Sequence, residues 1–365
     1  MYRENELVAI AKRENNNIRK YLVVDPYQGK HIPVSPTKAI ELFNELAKKV
    51  KKAYENEKIL FIGFAETATA IGAQVAITVG GKYIQTTREC IEGAEYLFFS
   101  EAHSHATEQK LIKKDIDNCI SHIDRIIFVE DEVTTGNTIL NIVNIIENRY
   151  SNNVNFAVAS LLNGMNKECL KVYNDRNIEL HYVVKSNHEK YPEIAEKYAD
   201  NGKYHNVDLE KKIELSSINV SGYVNARRLC DAREYEHACE KLWNNIKQKL
   251  FIDDKLSILV IGTEEFMYPA MYVGKKIEEL GHRVKSHSTT RSPILVSVDD
   301  GYPLNERFEL RSLYDKDRVT YIYNIKKYDR VIIITDASEY EEAGICSLTN
   351  ALSLYNTHIT IVRWC

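Results

Sequence analysis

The stretch Phe128-Val129-Glu130-Asp131-Glu132-Val133-Thr134-Thr135-Gly136-Asn137-Thr138 holds adjacent acids, a run of hydroxyls and one glycine. The apolar run from Arg125 to Val129 leads into it and reads as a buried strand. Residues 139–146 follow with helical periodicity. Open α/β sheets bind ligands at the carboxyl ends of their strands. Loop amides and a helix N-terminus there form an anion site suited to a phosphate. Gly136 permits a positive φ or close approach of backbone to ligand. Glu130 and Asp131 can then grip ribose hydroxyls, directly or through Mg²⁺. A capped turn between strand and helix would account for Thr134. It would not account for the whole pattern.

The elements around this segment must form an alternating α/β frame. Tyr21-Leu22-Val23-Val24 reads as a strand, broken at Asp25-Pro26-Tyr27-Gln28-Gly29. Ser35-Pro36 reads as N-cap and first helical residue. Ile40, Leu42, Phe43, Leu46, Ala47 and Val50 fall on one face of the helix that follows. Ile59-Leu60-Phe61-Ile62-Gly63 is a strand that precedes a small-residue helix over 65–76. Residues 156–162 and 179–184 add strands. Strands alternating with helices predict a parallel, doubly wound sheet. Residues 191–217 are polar and lack a period, which puts a domain boundary near 215: 1–215, then 216–365. Beyond it, 231–250 and 270–280 read as helices. Residues 256–262, 331–335 and 359–364 read as strands.

Composition narrows the function class. The chain has 365 residues, with 48 Lys+Arg against 52 Asp+Glu and a net charge of −4. Two domains are expected from that length. Charges of both signs are spread throughout, so no nucleic-acid footprint is visible. No apolar run approaches the roughly 20 residues that span a bilayer, and no secretory h-region is seen. The seven cysteines are odd in number and contain no CxxC, which argues against disulfides or a zinc ribbon. A cytoplasmic protein with no membrane partner is expected.

The two halves repeat an order of motifs. Gly63, Thr86-Thr87-Arg88 and Asp131 are matched by Gly262, Thr289-Thr290-Arg291 and Asp336. Gly to Arg is 25 residues in one half and 29 in the other, and Arg to Asp is 43 and 45. Either α/β units resemble each other by chance, or the second domain is a duplicate. The duplicate would lack the hydroxyl loop, since Ala337-Ser338-Glu339-Tyr340-Glu341-Glu342 follows Asp336.

The 128–138 segment resembles the phosphoribosyl-pyrophosphate (PRPP) signature of type I phosphoribosyltransferases, in the Glu-Asp form of orotate phosphoribosyltransferases. Thr290-Arg291-Ser292-Pro293, after Gly262-Thr263-Glu264-Glu265-Phe266-Met267-Tyr268-Pro269, resembles the TRSP domain. That domain follows such transferases in proteins encoded near tellurite- and stress-resistance genes. The resemblance implies a parallel-sheet transferase domain with a flexible hood, then a second domain, which the matched motifs predict to be α/β and of related topology.

It also implies site residues. Thr134, Thr135, Gly136, Asn137 and Thr138 would hold the 5′-phosphate of PRPP. Glu130 and Asp131 would hold ribose and Mg²⁺. Ala65, Glu66 and Thr67 stand at the family's pyrophosphate loop, although small residues also suit close helix packing. Glu66 needs Mg²⁺ or a cationic acceptor to offset its charge. Arg88 would fork onto pyrophosphate, or pair as a surface ion. Residues 90–110 resemble the hood, where His103 and His105 would face pyrophosphate or the acceptor, or merely pack. Gln28-Gly29-Lys30-His31 would bind acceptor or phosphate, or lie on the surface. In the second domain, Glu264, Glu265, Thr290, Arg291 and Ser292 would line a pocket for a small polar or anionic ligand, or form a bracing ion pair.

The implied reaction is that of a glycosyltransferase: Mg²⁺-assisted displacement of pyrophosphate from PRPP by a nitrogen acceptor, toward a nucleotide-like metabolite. A PRPP-binding sensor or regulatory subunit without turnover is the competing reading. A homodimer sharing hood residues, and other enzymes of the gene neighbourhood, are the partners the resemblance suggests.

Overall fold

A computed structural model describes residues 2–14, 19–99, 109–150, 154–206, 213, 215–250, 255–338 and 342–365. Its elements in chain order begin with α1 (Glu4–Leu7), β1 (Ala9–Lys12), β2 (Tyr21–Val24), α2 (Pro36–Ala53), β3 (Ile59–Gly63), α3 (Thr69–Val79) and β4 (Lys82–Gln85). Next come β5 (Tyr96–Phe99), β6 (Gln109–Ile112), α4 (Lys113–Cys119), β7 (Arg125–Val133), α5 (Asn137–Arg149), β8 (Asn155–Asn163), α6 (Lys167–Asp175) and β9 (Glu179–Lys185). Then follow α7 (Tyr191–Lys197), β10 (Lys203–Asn206), β11 (Ser216–Val220), β12 (Cys230–Asp231), α8 (Ala232–Ile246), β13 (Ser257–Gly262), α9 (Tyr268–Glu279) and β14 (Arg283–Ser288). The last are β15 (Glu306–Arg311), β16 (Val319–Tyr323), β17 (Arg330–Thr335), α10 (Glu342–Ser353) and β18 (Ile359–Trp364). Among the described residues no helix is long and apolar enough to cross a membrane.

The chain divides into two compact units. The first comprises Ile40–Ser186 and Val224–His237; the second comprises Met1–Ala39, Asn187–Tyr223 and Ala238–Cys365. The boundary expected at 215 falls inside the second of these units. Within the second unit Val34 pairs with Ser286 through both backbone hydrogen bonds, 2.9 and 2.7 Å. Ala11 and Val24 pack in one cluster with Ile294, Val296 and Tyr323. The first 39 residues are therefore built onto the C-terminal part of the chain. Residues 191–206, part of the stretch read as lacking a period, hold α7 and β10, and β10 pairs with β15. Both elements are too short to show a period in the sequence.

The first unit is a six-stranded sheet, β12-β4-β3-β7-β8-β9, parallel except for β12 against β4. Every residue of β3 and the first five of β7 are buried, as expected for a sheet covered on both faces. α3 lies close on β3 because Gly72 meets Gly63: a Cβ on Gly72 would sit 2.8 Å from the Gly63 Cα. Close packing thus explains part of the small-residue run. β5 and β6 form an antiparallel ribbon between β4 and β7 in sequence.

The second unit repeats this plan. Its parallel sheet runs β11-β18-β17-β13-β14. The order β14-β13-β17-β18 matches β4-β3-β7-β8. The ribbon β15–β16 stands in sequence where β5–β6 stands in the first unit. Isolated antiparallel bridges tie Thr87 to Lys110 in one unit and Thr290 to Tyr321 in the other. The related topology expected from the matched motifs is what the two sheets show. One departure is β11, which precedes β18 and the unit's other sheet strands in sequence, whereas its counterpart β9 follows β8.

Candidate active site

Three strand ends of the first unit meet at one edge. β3, β4 and β7 are adjacent and parallel, so residues 64–68, 86–88 and 134–138 all leave the sheet on its carboxyl side. The 64–68 loop is pinned from both flanks. The Phe64 amide donates to Val129 O at 3.0 Å, and the Ala65 amide donates to Thr86 Oγ1 at 2.8 Å. Thr67 Oγ1 donates to Asp131 Oδ1 at 3.0 Å. The expected pyrophosphate loop and one of the expected ribose acids are therefore in contact. The Ala65 amide is already engaged by Thr86, so it is not a donor for a diphosphate. Glu66 is buried, and its carbonyl accepts from Thr69 Oγ1 at 3.2 Å.

Glu130, Asp131 and Glu132 lie within β7, which continues to Val133 by pairing Glu130 with Ser160 and Glu132 with Leu162. The sequence placed the strand end at Val129; pairing with β8 extends it past the acids. The Glu130 carboxyl is held well above the usual carboxylate range, first by burial and next by the charge of Asp131. An anion or neutral acid at that point favours a cationic or hydroxyl partner.

Beyond β7 the loop turns at Gly136, which takes φ 76°. Its position is enforced by packing as well: a Cβ there would lie 2.2 Å from the Tyr173 hydroxyl. Tyr173 Oη donates to Gly136 O at 2.7 Å, which fixes the start of α5. The first amides of a helix have no intrahelical acceptor. Asn137 and Thr138 open α5 and Thr134 and Thr135 precede it; Thr135 and Asn137 are exposed, and the Asn137 amide donates to Thr135 Oγ1 at 3.4 Å. Helix N-termini are in general suited to anions.

Arg88 lies half-buried three residues past β4, at the same edge. His103 and His105 lie outside the described residues. The ribbon β5–β6 is anchored next to the site, because the Phe99 and Phe64 rings meet edge to face at 5.8 Å. Sequence reading missed Thr86 and Gln109: Thr86 Oγ1 donates to Gln109 Oε1 at 2.7 Å while accepting from the loop. The signal was present. Thr289 occupies the matched place in the second unit and its Oγ1 accepts from the Glu264 amide at 3.0 Å.

The second-unit residues also come together at one edge, but they are engaged with each other. Arg291 Nε meets Glu264 Oε2 at 2.8 Å, and its Nη2 meets Glu265 Oε1 at 3.3 Å. Arg318 Nη1 meets Glu264 at 2.9 Å and Ser312 donates to Glu264 at 2.5 Å. The side chains of Glu264 and Glu265 are 1% and 0% exposed. Thr290 is buried in its bridge to Tyr321, and its Oγ1 accepts from the Ser292 amide at 3.2 Å. The bracing alternative describes this arrangement. Lys30 is neither at the surface nor in the first unit: it is fully buried and donates to Glu264 O at 2.7 Å.

Comparison with known proteins follows these lines. A family model described as "Phosphoribosyl transferase" matches residues 7–188, and one described as "TRSP domain C terminus to PRTase_2" matches residues 228–352. Similar solved structures include adenine phosphoribosyltransferase from Rhodothermus marinus DSM 4252, at 13% identity and TM-score 0.35, covering 50% of this chain and 96% of that one. Another is the Giardia lamblia enzyme complexed with 9-deazaadenine, at 14% identity and TM-score 0.35, covering 50% and 96%. The enzyme from Thermoanaerobacter pseudethanolicus is 15% identical at TM-score 0.33, covering 50% and 97%. No curated protein matches the chain. The chain belongs to the phosphoribosyl transferase family and carries the TRSP domain that follows the transferase domain in its sequence.

Proposed function

We propose that the first unit catalyses displacement of pyrophosphate from C1′ of PRPP by a nitrogen nucleophile. The observation that carries this is the convergence of the 64–68 loop, Arg88, Asp131 and the start of α5 at one sheet edge, with Thr67 on Asp131 at 3.0 Å. In this reading the 134–138 loop and the α5 amides bind the 5′-phosphate. Glu130 and Asp131 accept from the ribose hydroxyls. Glu66 and Thr67 border the diphosphate, and the Arg88 guanidinium forks onto it. The C1′–O bond breaks as the C1′–N bond forms, through a transition state with oxocarbenium character. The residues contribute position, leaving-group stabilisation and exclusion of water rather than a nucleophile.

The donor set fits Mg²⁺. It is made of hard carboxylate oxygens, and the raised Glu130 carboxyl is relieved by a cation. Among the described residues no cluster of three or more His, Cys, Asp or Glu forms a metal cage. Mg²⁺ suits such a site, because it takes one or two carboxylates and completes its shell with phosphates and water. Glu130 and Asp131 would hold it, and when bound it supplies positive charge to the diphosphate. The acceptor is a nitrogen compound, and the product is nucleotide-like; a link to stress or tellurite resistance rests on the TRSP resemblance.

The test is calorimetric titration of PRPP with MgCl₂ into the full chain and into Glu130→Ala/Asp131→Ala. Binding should be lost in the double variant while its melting curve is retained. Unchanged affinity would overturn the assignment. Pyrophosphate release from PRPP, with a metabolite extract as acceptor source, separates the enzyme from a sensor that only binds.

A further inference from the structure

The first unit is completed by a short segment from far along the chain, and that segment pairs with the strand that leads into the site. β12 pairs antiparallel with β4, Cys230 opposite Tyr83 and Asp231 opposite Lys82. The pairing continues toward the carboxyl end of β4, where the Gln85 amide donates to Ala226 O at 2.8 Å. Gln85 directly precedes Thr86, which holds the 64–68 loop, and Arg88 stands two residues further. The same segment also grips the far side of the ribbon. Arg228 Nε and Nη2 donate to the two carboxylate oxygens of Asp115 at 2.6 and 2.8 Å, and the Leu229 amide adds 3.0 Å. Asp115 is buried, and its α4 follows β6 without a break.

Each of these contacts has a plain energetic consequence. A buried carboxylate with three donors from one neighbour depends on that neighbour to stay ordered. A paired β4 edge cannot fray from its carboxyl end while Ala226 holds Gln85. The ribbon β5–β6 joins β4 to α4, so its two roots are both fastened to residues 226–231. The TRSP family match begins at residue 228, so Arg228 belongs by sequence to the other domain.

We propose that residues 224–231 are a clasp of the transferase site, with Arg228 as a positioning residue for pyrophosphate departure. The clasp fixes the 86–88 turn and the root of the ribbon together, and so fixes where Arg88 meets the leaving group. The proposal rests on the transferase reading given above.

The experiment uses the full chain with Arg228→Ala, Arg228→Lys and Asp115→Asn, each checked for an unchanged far-ultraviolet spectrum. Hydrogen exchange is measured first. In Arg228→Ala and Asp115→Asn, amides of 84–88 and 110–116 should exchange about tenfold faster, with β7 and β8 unchanged, because local opening is selective. Kinetics follow, by pyrophosphate release from PRPP with a metabolite extract. Arg228→Ala should lower kcat about tenfold with KM for PRPP within about twofold, the signature of lost positioning. Arg228→Lys should recover part of the rate, since it keeps charge but not the fork. Unchanged exchange at 84–88, or a raised KM at constant kcat, would overturn the clasp. If the unaltered chain releases no pyrophosphate, the transferase reading fails, and the exchange result alone decides whether the clasp holds the site.

Discussion

Gly136 illustrates how one residue can be fixed by two independent demands. It needs φ 76°, and it has no room for a Cβ beside Tyr173 and Met165. Gly136→Ala should therefore destabilise the first unit by about 1–3 kcal/mol, through the left-handed backbone and overpacking together. PRPP affinity should fall further than stability does, as calorimetry beside thermal melting would show. His287 makes a second residue-level prediction. Burial holds its imidazole down to about 4, against 6.5 for an open histidine, while Nε2 lies 2.8 Å from Tyr323 O. The unfolded chain takes up this proton near pH 6.5 and the folded chain only near 4. Its contribution is full above the higher value and is lost as pH falls toward the lower one, about 3 kcal/mol in all. Both tryptophans, Trp243 and Trp364, lie in the second unit, so urea curves followed by their fluorescence report it. His287→Gln should flatten the pH dependence between 6.5 and 4.

At the scale of elements, the threonine that ends each first crossover is the joint between strand and loop. Thr86 and Thr289 accept equivalent amides, from Ala65 and Glu264. Thr86→Val should leave a buried amide unpaired, at a cost of about 1–3 kcal/mol, and slow pyrophosphate release. Thr289→Val should carry a similar stability cost with turnover unaltered. Equal loss of turnover in both would show that the joint acts through general stability. This pair also marks how far the sequence could be read. Strongly apolar strands such as 59–63 and 330–335 were legible, because parallel strands buried on both faces need uninterrupted apolar runs. The acids, the Gly136 loop and the repeated Thr-Thr-Arg were legible from type and spacing. The ribbon β15–β16 and strand β12 were not. β15 and β16 are short and β15 also takes β10 as a neighbour, β12 pairs across the long stretch from Tyr83 to Cys230, and two residues of β12 carry no period at all. The Arg228–Asp115 fork was hidden for the same reason.

For the whole molecule, sequence order and packing order differ. A fragment of residues 1–215 follows the boundary read from composition, yet it omits β12 and Arg228 and leaves the β4 edge open. It should melt lower than the full chain and aggregate on concentration, as exposed strand edges do. Light scattering against the full chain checks this; a monomeric fragment of equal stability would show that residues 224–237 are dispensable to the first unit. The N-terminal 39 residues have a different consequence, one of timing. Val34 must wait for Ser286, and Lys30 for Glu264, before either finds its partner. At a synthesis rate of about 5–20 residues per second, the opening segment spends roughly 10–50 s outside the ribosome before those partners are made. Until α7 is made β1 and β2 have only each other, and a two-stranded hairpin is marginal in water. The growing chain must therefore keep its first apolar strands from pairing elsewhere until its last third has emerged.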